Sequence, residues 1–295
     1  MDPAQKLAPP RSYPPIRLSV LPPLRSVAKH ATLLALCAWV LLPLVWVALH
    51  SMKRGPFRDY QHIWPREFVD PLWARYQWLW QNPSLDDPFF RSLTNSVVVT
   101  SLTVVSSTVG AVLAGYALTH MRTPGRRIIS GLLVASMFFP TQVTALVGIF
   151  KIQYELGLIN KTWSLFLPYT AMMAAISVFV MRGVFLTVPR DIVDSAKLDG
   201  AGSLRTLLEV LLPMVTNGVI VVVILSFSMA WGEYLLAATL MNDRDSRTLA
   251  VGLGQAGVSP GAAALLVIAL LPALSAFGIA QHWFLKGLQD GAMRG

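Results

Sequence analysis

The sequence predicts an all-α integral membrane protein with six transmembrane helices and a cytoplasmic helical elbow between the fourth and fifth spans. Three observations predict it. Charged residues make up 13% of the chain against 54% hydrophobic, with a mean hydropathy of +0.56, whereas soluble domains carry roughly 25% charged residues. The apolar residues fall into six long blocks of the length a bilayer requires. The tight loop over 120–127 carries Arg122, Arg126 and Arg127, which assigns its side to the cytoplasm because short loops rich in Lys and Arg stay inside.

Residues 1–27 hold Pro3, Pro9, Pro10, Pro14, Pro15, Pro22 and Pro23, so they are expected to form a Pro-rich cytoplasmic tail with little to bury. The first block, 31–49, is free of charge and as a helix spans about 28 Å, matching the hydrocarbon layer. Ala48, Leu49 and His50 after it make a poor cleavage site, so the block reads as a retained anchor. It contains Cys37, the one cysteine, which excludes an intrachain disulfide and a cysteine metal cluster. Residues 51–90 form an extracytoplasmic loop with Trp64, Trp73, Trp78 and Trp80, read as interfacial anchors in preference to ligand-stacking rings.

The remaining blocks are 92–118, 128–150, 163–185, 211–240 and 262–285. Together with the first they define a six-span domain over 28–285, followed by a cytoplasmic tail over 286–295; the even number puts both termini on one side, the cytoplasm. Pro43, Pro140, Pro168 and Pro272 lie within spans, where they kink helices that line a moving pathway or are simply tolerated. Ser106, Gly110 and Ala114 recur every four residues, a spacing that allows close helix packing. His30, His120 and His282 fall at span ends, as interfacial anchors do. The net charge of +9 is spread over the short loops rather than gathered on one helix or aromatic patch, which argues against nucleic acid as a partner. The partner that composition demands is membrane lipid.

One cytoplasmic stretch, 188–206, departs from this pattern. Pro189 suits a first helical turn, Asp191 and Asp194 complement its positive end, and Ile192, Val193, Ala196 and Leu198 supply apolar contacts. Gly200 and Gly202 permit a sharp turn, and Ser203 is placed to cap a new helix leading into the fifth span. Near the outer end of that span Glu233 sits beside Trp231 and Tyr234. An acid there either hydrogen-bonds a solute hydroxyl with the rings stacking on it, or holds two helices together, and the second is favoured. Glu209 is expected to meet Arg205 one turn away.

Asp194, Ser195 and Ala196, then Gly200, then Val210, Leu212 and Pro213 resemble the EAA signature of binding-protein-dependent ABC importer permeases: Glu-Ala-Ala, three residues, Gly, nine residues, Ile, any residue, Leu-Pro. Asp replaces Glu, Ser the first Ala, and Val the Ile, keeping charge, size and branching. Asp199-Gly200-Ala201, Trp231-Gly232-Glu233-Tyr234 and the Lys286-Gly287-Leu288 tail resemble the carbohydrate branch, similar to the smaller maltose-type permease. The resemblance covers roughly residues 30–295.

It implies a permease subunit of a bacterial inner-membrane importer for a sugar or sugar-like solute. The coupling helix is then the segment with Asp191, Asp194, Ser195, Ala196, Lys197, Asp199 and Gly200, seated in a groove of a cytoplasmic ATPase. Asp194 contacts a basic group of that partner, and Ala196 and Gly200 allow close approach. Implied partners are a second permease in a heterodimer, two cytoplasmic ATP-binding subunits and an extracytoplasmic solute-binding protein. The chain has no G-x-x-x-x-G-K-[ST] loop, so ATP and Mg are expected in the partner ATPase and no cofactor here. It also lacks H-E-x-x-H and G-x-S-x-G motifs, so no enzyme is expected. The alternative is an ion-coupled secondary transporter, for which Glu233 is the one intramembrane acid.

Overall fold

A computed structural model describes residues 23–53, 73–74, 76–77, 88–138, 144–255 and 260–292, with the side chains of 23–25, 88, 260, 280 and 282–292 excepted. Most of the Pro-rich tail, most of the 51–90 loop, Pro140 and the last residues of the carboxyl tail lie outside the described residues. All regular structure in the described residues is helical. The chain divides into two compact units at Trp46 and Val47. The first, ending at Trp46, holds most of α1 (Pro23–Ser51), which continues through Pro43 and exposes its apolar side chains from Val27 to Val45.

The second unit begins with α2 (Pro88–His120), α3 (Arg126–Met137), α4 (Leu146–Glu155), a short 3-10 turn (Thr162–Leu165) and α5 (Phe166–Phe185). It continues with α6 (Arg190–Leu198) and α7 (Ser203–Met214), whose Thr206–Leu211 part is a π-turn, then α8 (Thr216–Gly232) and α9 (Leu235–Leu240). It ends with α10 (Leu249–Gln255) and α11 (Pro260–Ala292). Four helical stretches among the described residues have the length and apolarity to cross a membrane: Ser26–Ser51, Phe89–His120, Thr162–Phe185 and Gly261–Ile279. The α7–α8 pair, bent by 83°, counts as a fifth if taken as one span.

Two expected spans are therefore less regular than hydropathy suggested. The block over 128–150 is divided between α3 and α4, each too short to cross alone. The block over 211–240 is interrupted at Val215 and again at Glu233, where the backbone is extended. Pro168 makes no mid-helix kink, because it sits in the first turn of α5, where its missing N–H has no helical partner to lose.

The core is centred on α2 against α5, with α8 alongside. Gly115 permits this: a Cβ there would lie 2.9 Å from Met181 Cβ and 3.2 Å from the Arg182 backbone nitrogen. The expected close approach at Gly110 is absent, since that residue is exposed with nothing within 4 Å of an added Cβ, while Ser106 Oγ hydrogen-bonds Thr170 Oγ1 at 2.5 Å. Gly218 performs the same service between α8 and Val184 of α5.

The loops sort to two ends of this unit. At one end, Arg91 pairs with Asp245, Asn95 donates to the Asp245 and Arg247 carbonyls, and Asn160 Oδ1 accepts from the Asn242 and Asp243 amides. At the other, His120 Nε2 hydrogen-bonds the Phe185 carbonyl, and Tyr116, Phe185, Val193, Leu207 and Leu211 form one buried cluster. The 120–127 loop and the elbow thus share an end, as alternation of loops requires.

Candidate functional site: a helical elbow and a capped helix break

α6 begins at Pro189, whose φ of −58° and ψ of 137° bring the chain in extended. It ends in a turn closed by backbone bonds alone. The Gly200 amide donates to the Lys197 carbonyl at 3.0 Å and the Ala201 amide to the Ala196 carbonyl at 2.9 Å, the paired bonds of a Schellman closure. Gly200 stands at φ +80°, where a side chain is strained. The next helix starts from Gly202 as its N-cap, not from Ser203 as the sequence suggested, and no side chain caps it.

The helix has two faces. Val193 is buried in the core cluster and Ala196 is buried one turn on. Asp191, Asp194, Ser195, Lys197, Asp199 and Gly200 are exposed. Ala196 is 8% exposed, whereas Gly200 is open to the surface. Asp194 accepts from Lys197 Nζ at 3.1 Å, an exposed pair, and Arg205 donates to Glu209 at 2.8 Å as its spacing predicts.

Leu198 is the residue the sequence reading misplaced. Counted among the helix's own apolar contacts, it is instead 89% exposed. At 100° per residue Leu198 falls about 140° from Val193, so a helical wheel finds it.

Trp231, Glu233 and Tyr234 do not converge. Glu233 is 7% exposed and accepts three hydrogen bonds: Oε2 accepts from the Tyr169 hydroxyl at 2.6 Å and the Ala237 amide at 3.1 Å, and Oε1 from the Leu236 amide at 2.8 Å. It caps the first turn of α9 and ties that break to α5. Trp231 stacks on Phe227 at 5.5 Å, and its Nε1 donates to the Ala269 carbonyl of α11 at 3.3 Å. Tyr234 lies over Gly254. Trp231 and Phe227 line a largely apolar cleft of about 710 Å³ between α2, α8 and α11, into which Thr100, Ser101 and Ser228 also face. No group of three metal-ligating side chains occurs among the described residues.

Four long apolar helices, with the α7–α8 pair bent by 83° behind α6, are the frame of a membrane-spanning protein. Residues 106–289 match the family of binding-protein-dependent transport system inner membrane components, and the chain belongs to that family. It is a transport protein and not an enzyme. It is 31% identical over 266 residues to the sulfoquinovosyl glycerol transport system permease protein SmoH of Agrobacterium fabrum, covering 86% of this chain and 89% of that one. The trehalose/maltose transport system permease protein MalG of Thermococcus litoralis is 27% identical, covering 86% and 92%. The fold is also that of a chain in a bacterial ABC transporter that imports the acidic polysaccharide alginate, with a TM-score of 0.75 at 20% identity over 89% of this chain and 97% of that one. The carbohydrate-branch resemblance read from the motifs is therefore correct.

Proposed function

We propose that this chain is one permease subunit of an ATP-driven importer that moves a sugar or sugar-like solute, delivered by an extracytoplasmic binding protein, across a bacterial inner membrane. The observation that carries the reading is α6. Its inner face is built into the core and its outer face offers Leu198 ringed by Asp191, Asp194 and Asp199, a shape suited to a groove in another protein. The groove belongs to one of two cytoplasmic ATP-binding subunits, which hold the ATP and Mg. Their closure turns the elbow as a rigid body, and the bend at Val215 passes the rotation to α8.

In this reading α3 and α4 together complete the third of six spans, both termini are cytoplasmic, and a second, different permease completes the pathway. Trp231 lines the solute route with its ring in the α2–α8–α11 cleft, while Tyr234 packs over Gly254 away from the cleft lining. Glu233 supports them from behind, with its oxygens committed to Tyr169 and α9. The names of SmoH and MalG support a sugar-like solute.

The test is to solubilise the chain from its native membrane in mild detergent, isolate it and assay for a co-purifying ATPase, then repeat with Gly200→Val. A β-branched residue at φ +80° opens the Schellman turn without a clash, since nothing lies within 4 Å of an added Cβ. The expected result is an ATPase and a second permease with the wild type, both reduced in the variant. A wild-type chain that purifies alone, and takes up solute on an imposed proton or sodium gradient, replaces this reading with the ion-coupled transporter.

A further inference from the structure

At the elbow end, a cleft of about 580 Å³ opens between the 119–126 segment and the side of α6 that carries Arg190, Val193, Asp194 and Lys197. Its rim carries Arg122, Arg126, Arg190 and Lys197, and one carboxylate, Asp194, already paired with Lys197. Among the described residues Arg122, Arg126 and Arg190 have no ion pair, so the cleft holds three uncompensated guanidinium groups. The turn that presents two of them is held in place by Gly125 at φ +71° and by the Thr123 hydroxyl donating to the Ala117 carbonyl at 2.8 Å.

From the cleft at Arg126 the chain leads into an apolar helix. α3 starts at Arg126 and has no buried residue. Ile128 and Leu132, one turn apart on one face, are 69% and 65% exposed. Cations beside a bare aliphatic stripe at the end of membrane-spanning helices match one class of ligand, which carries a phosphate and alkyl chains together.

We propose that this cleft binds the headgroup of an anionic phospholipid, with phosphate oxygens held by Arg122, Arg126 and Arg190 and an acyl chain lying along Ile128 and Leu132. Lipid bound there touches the 121–126 turn and α6 at once, so the charge of the surrounding leaflet biases the position of the elbow. An acidic protein segment would satisfy the guanidinium groups but would leave the α3 stripe bare. The inference requires that this end of the helices lies at a headgroup layer; it does not require that an ATPase docks on α6.

The full chain, with whatever subunits accompany it, is titrated in detergent with equal amounts of phosphatidylglycerol and phosphatidylcholine, and retained lipid is counted by native mass spectrometry. Wild type is expected to retain phosphatidylglycerol preferentially. The preference should fall roughly fivefold for each cation removed in Arg122→Gln, Arg126→Gln and Arg190→Gln, and remain intact in Arg91→Gln at the opposite end. Excess inorganic phosphate should displace little of it, because the acyl contact is lost. Equal retention of the two lipids by wild type, or an unchanged preference in the triple variant, overturns the proposal. Displacement by inorganic phosphate alone assigns the cleft to a soluble anion and overturns it too. So does a triple variant that keeps its lipid preference but sheds a co-purifying subunit, since that assigns the cleft to an acidic protein face.

Discussion

The chain turns sharply at two places bearing acids, and it treats those acids in opposite ways. At Glu233 the break between α8 and α9 is closed by the side chain itself, buried and donated to by Tyr169, Leu236 and Ala237. At Gly200 the break after α6 is closed by backbone bonds, and Asp191, Asp194 and Asp199 beside it are left in the open with Leu198. A buried carboxylate with three of its roughly four acceptor sites taken inside the fold has little left to offer a ligand. A turn that satisfies itself through backbone leaves its side chains for another molecule. Charge in a membrane protein marks function by default, but the comparison shows that its hydrogen-bond account decides which kind.

The largest expected effect is at the buried break. Glu233→Ala strands the Tyr169 hydroxyl and two amides of α9, at about 1–3 kcal/mol for each unsatisfied group. The thermal unfolding midpoint of the purified chain should drop markedly, with solute or without it, and Tyr169→Phe should reproduce only part of the loss. A Glu233→Ala protein with unchanged unfolding but no transport would break the comparison, by showing that the carboxylate serves the solute after all.

At the exposed turn stability and function should separate. Leu198→Asp removes no internal contact, so the unfolding midpoint should stay within about 0.5 kcal/mol of wild type. Transport and ATPase retention should nevertheless fall about tenfold or more, as they do when an apolar anchor is lost from an interface. Gly200→Val falls between the two, with roughly 1–2 kcal/mol of backbone strain and the same loss of partner. If Leu198→Asp destabilises the isolated chain instead, Leu198 is packing internally and the outer face of α6 is not a docking surface.

How much of this was legible follows the distance over which each feature is built. The turn after α6 was readable because it uses bonds that close within six residues, so the acids and Gly200 announce it locally. Leu198 was readable too, had the face been taken from angular position rather than from apolarity. The break at Glu233 was not, because Tyr169 lies 64 residues away and the flanking residues are uniformly apolar. Hydropathy also runs unbroken across 128–150, since it records the solvent of a segment and not the continuity of its helix. The close approach went to Gly115 instead of Gly110 because that choice depends on which face of α2 meets α5, which the small-residue spacing does not state.

The smallest effect sharpens the contrast most. Lys197 holds Asp194 across one turn of α6 at 3.1 Å, both side chains more than half exposed, and such pairs contribute about 0–1 kcal/mol. Lys197→Ala should therefore leave the unfolding midpoint nearly unchanged, while freeing Asp194 to meet a basic group on the ATPase without first giving up its neighbour. Retention of the ATPase in Lys197→Ala should equal or slightly exceed wild type, whereas Asp194→Asn should weaken it, and raising the salt concentration should narrow the gap. If both substitutions weaken retention equally, the pair acts as a unit that shapes α6. The elbow would then resemble Glu233, with its acid serving the fold, and recognition would rest on Leu198 and the backbone at Gly200.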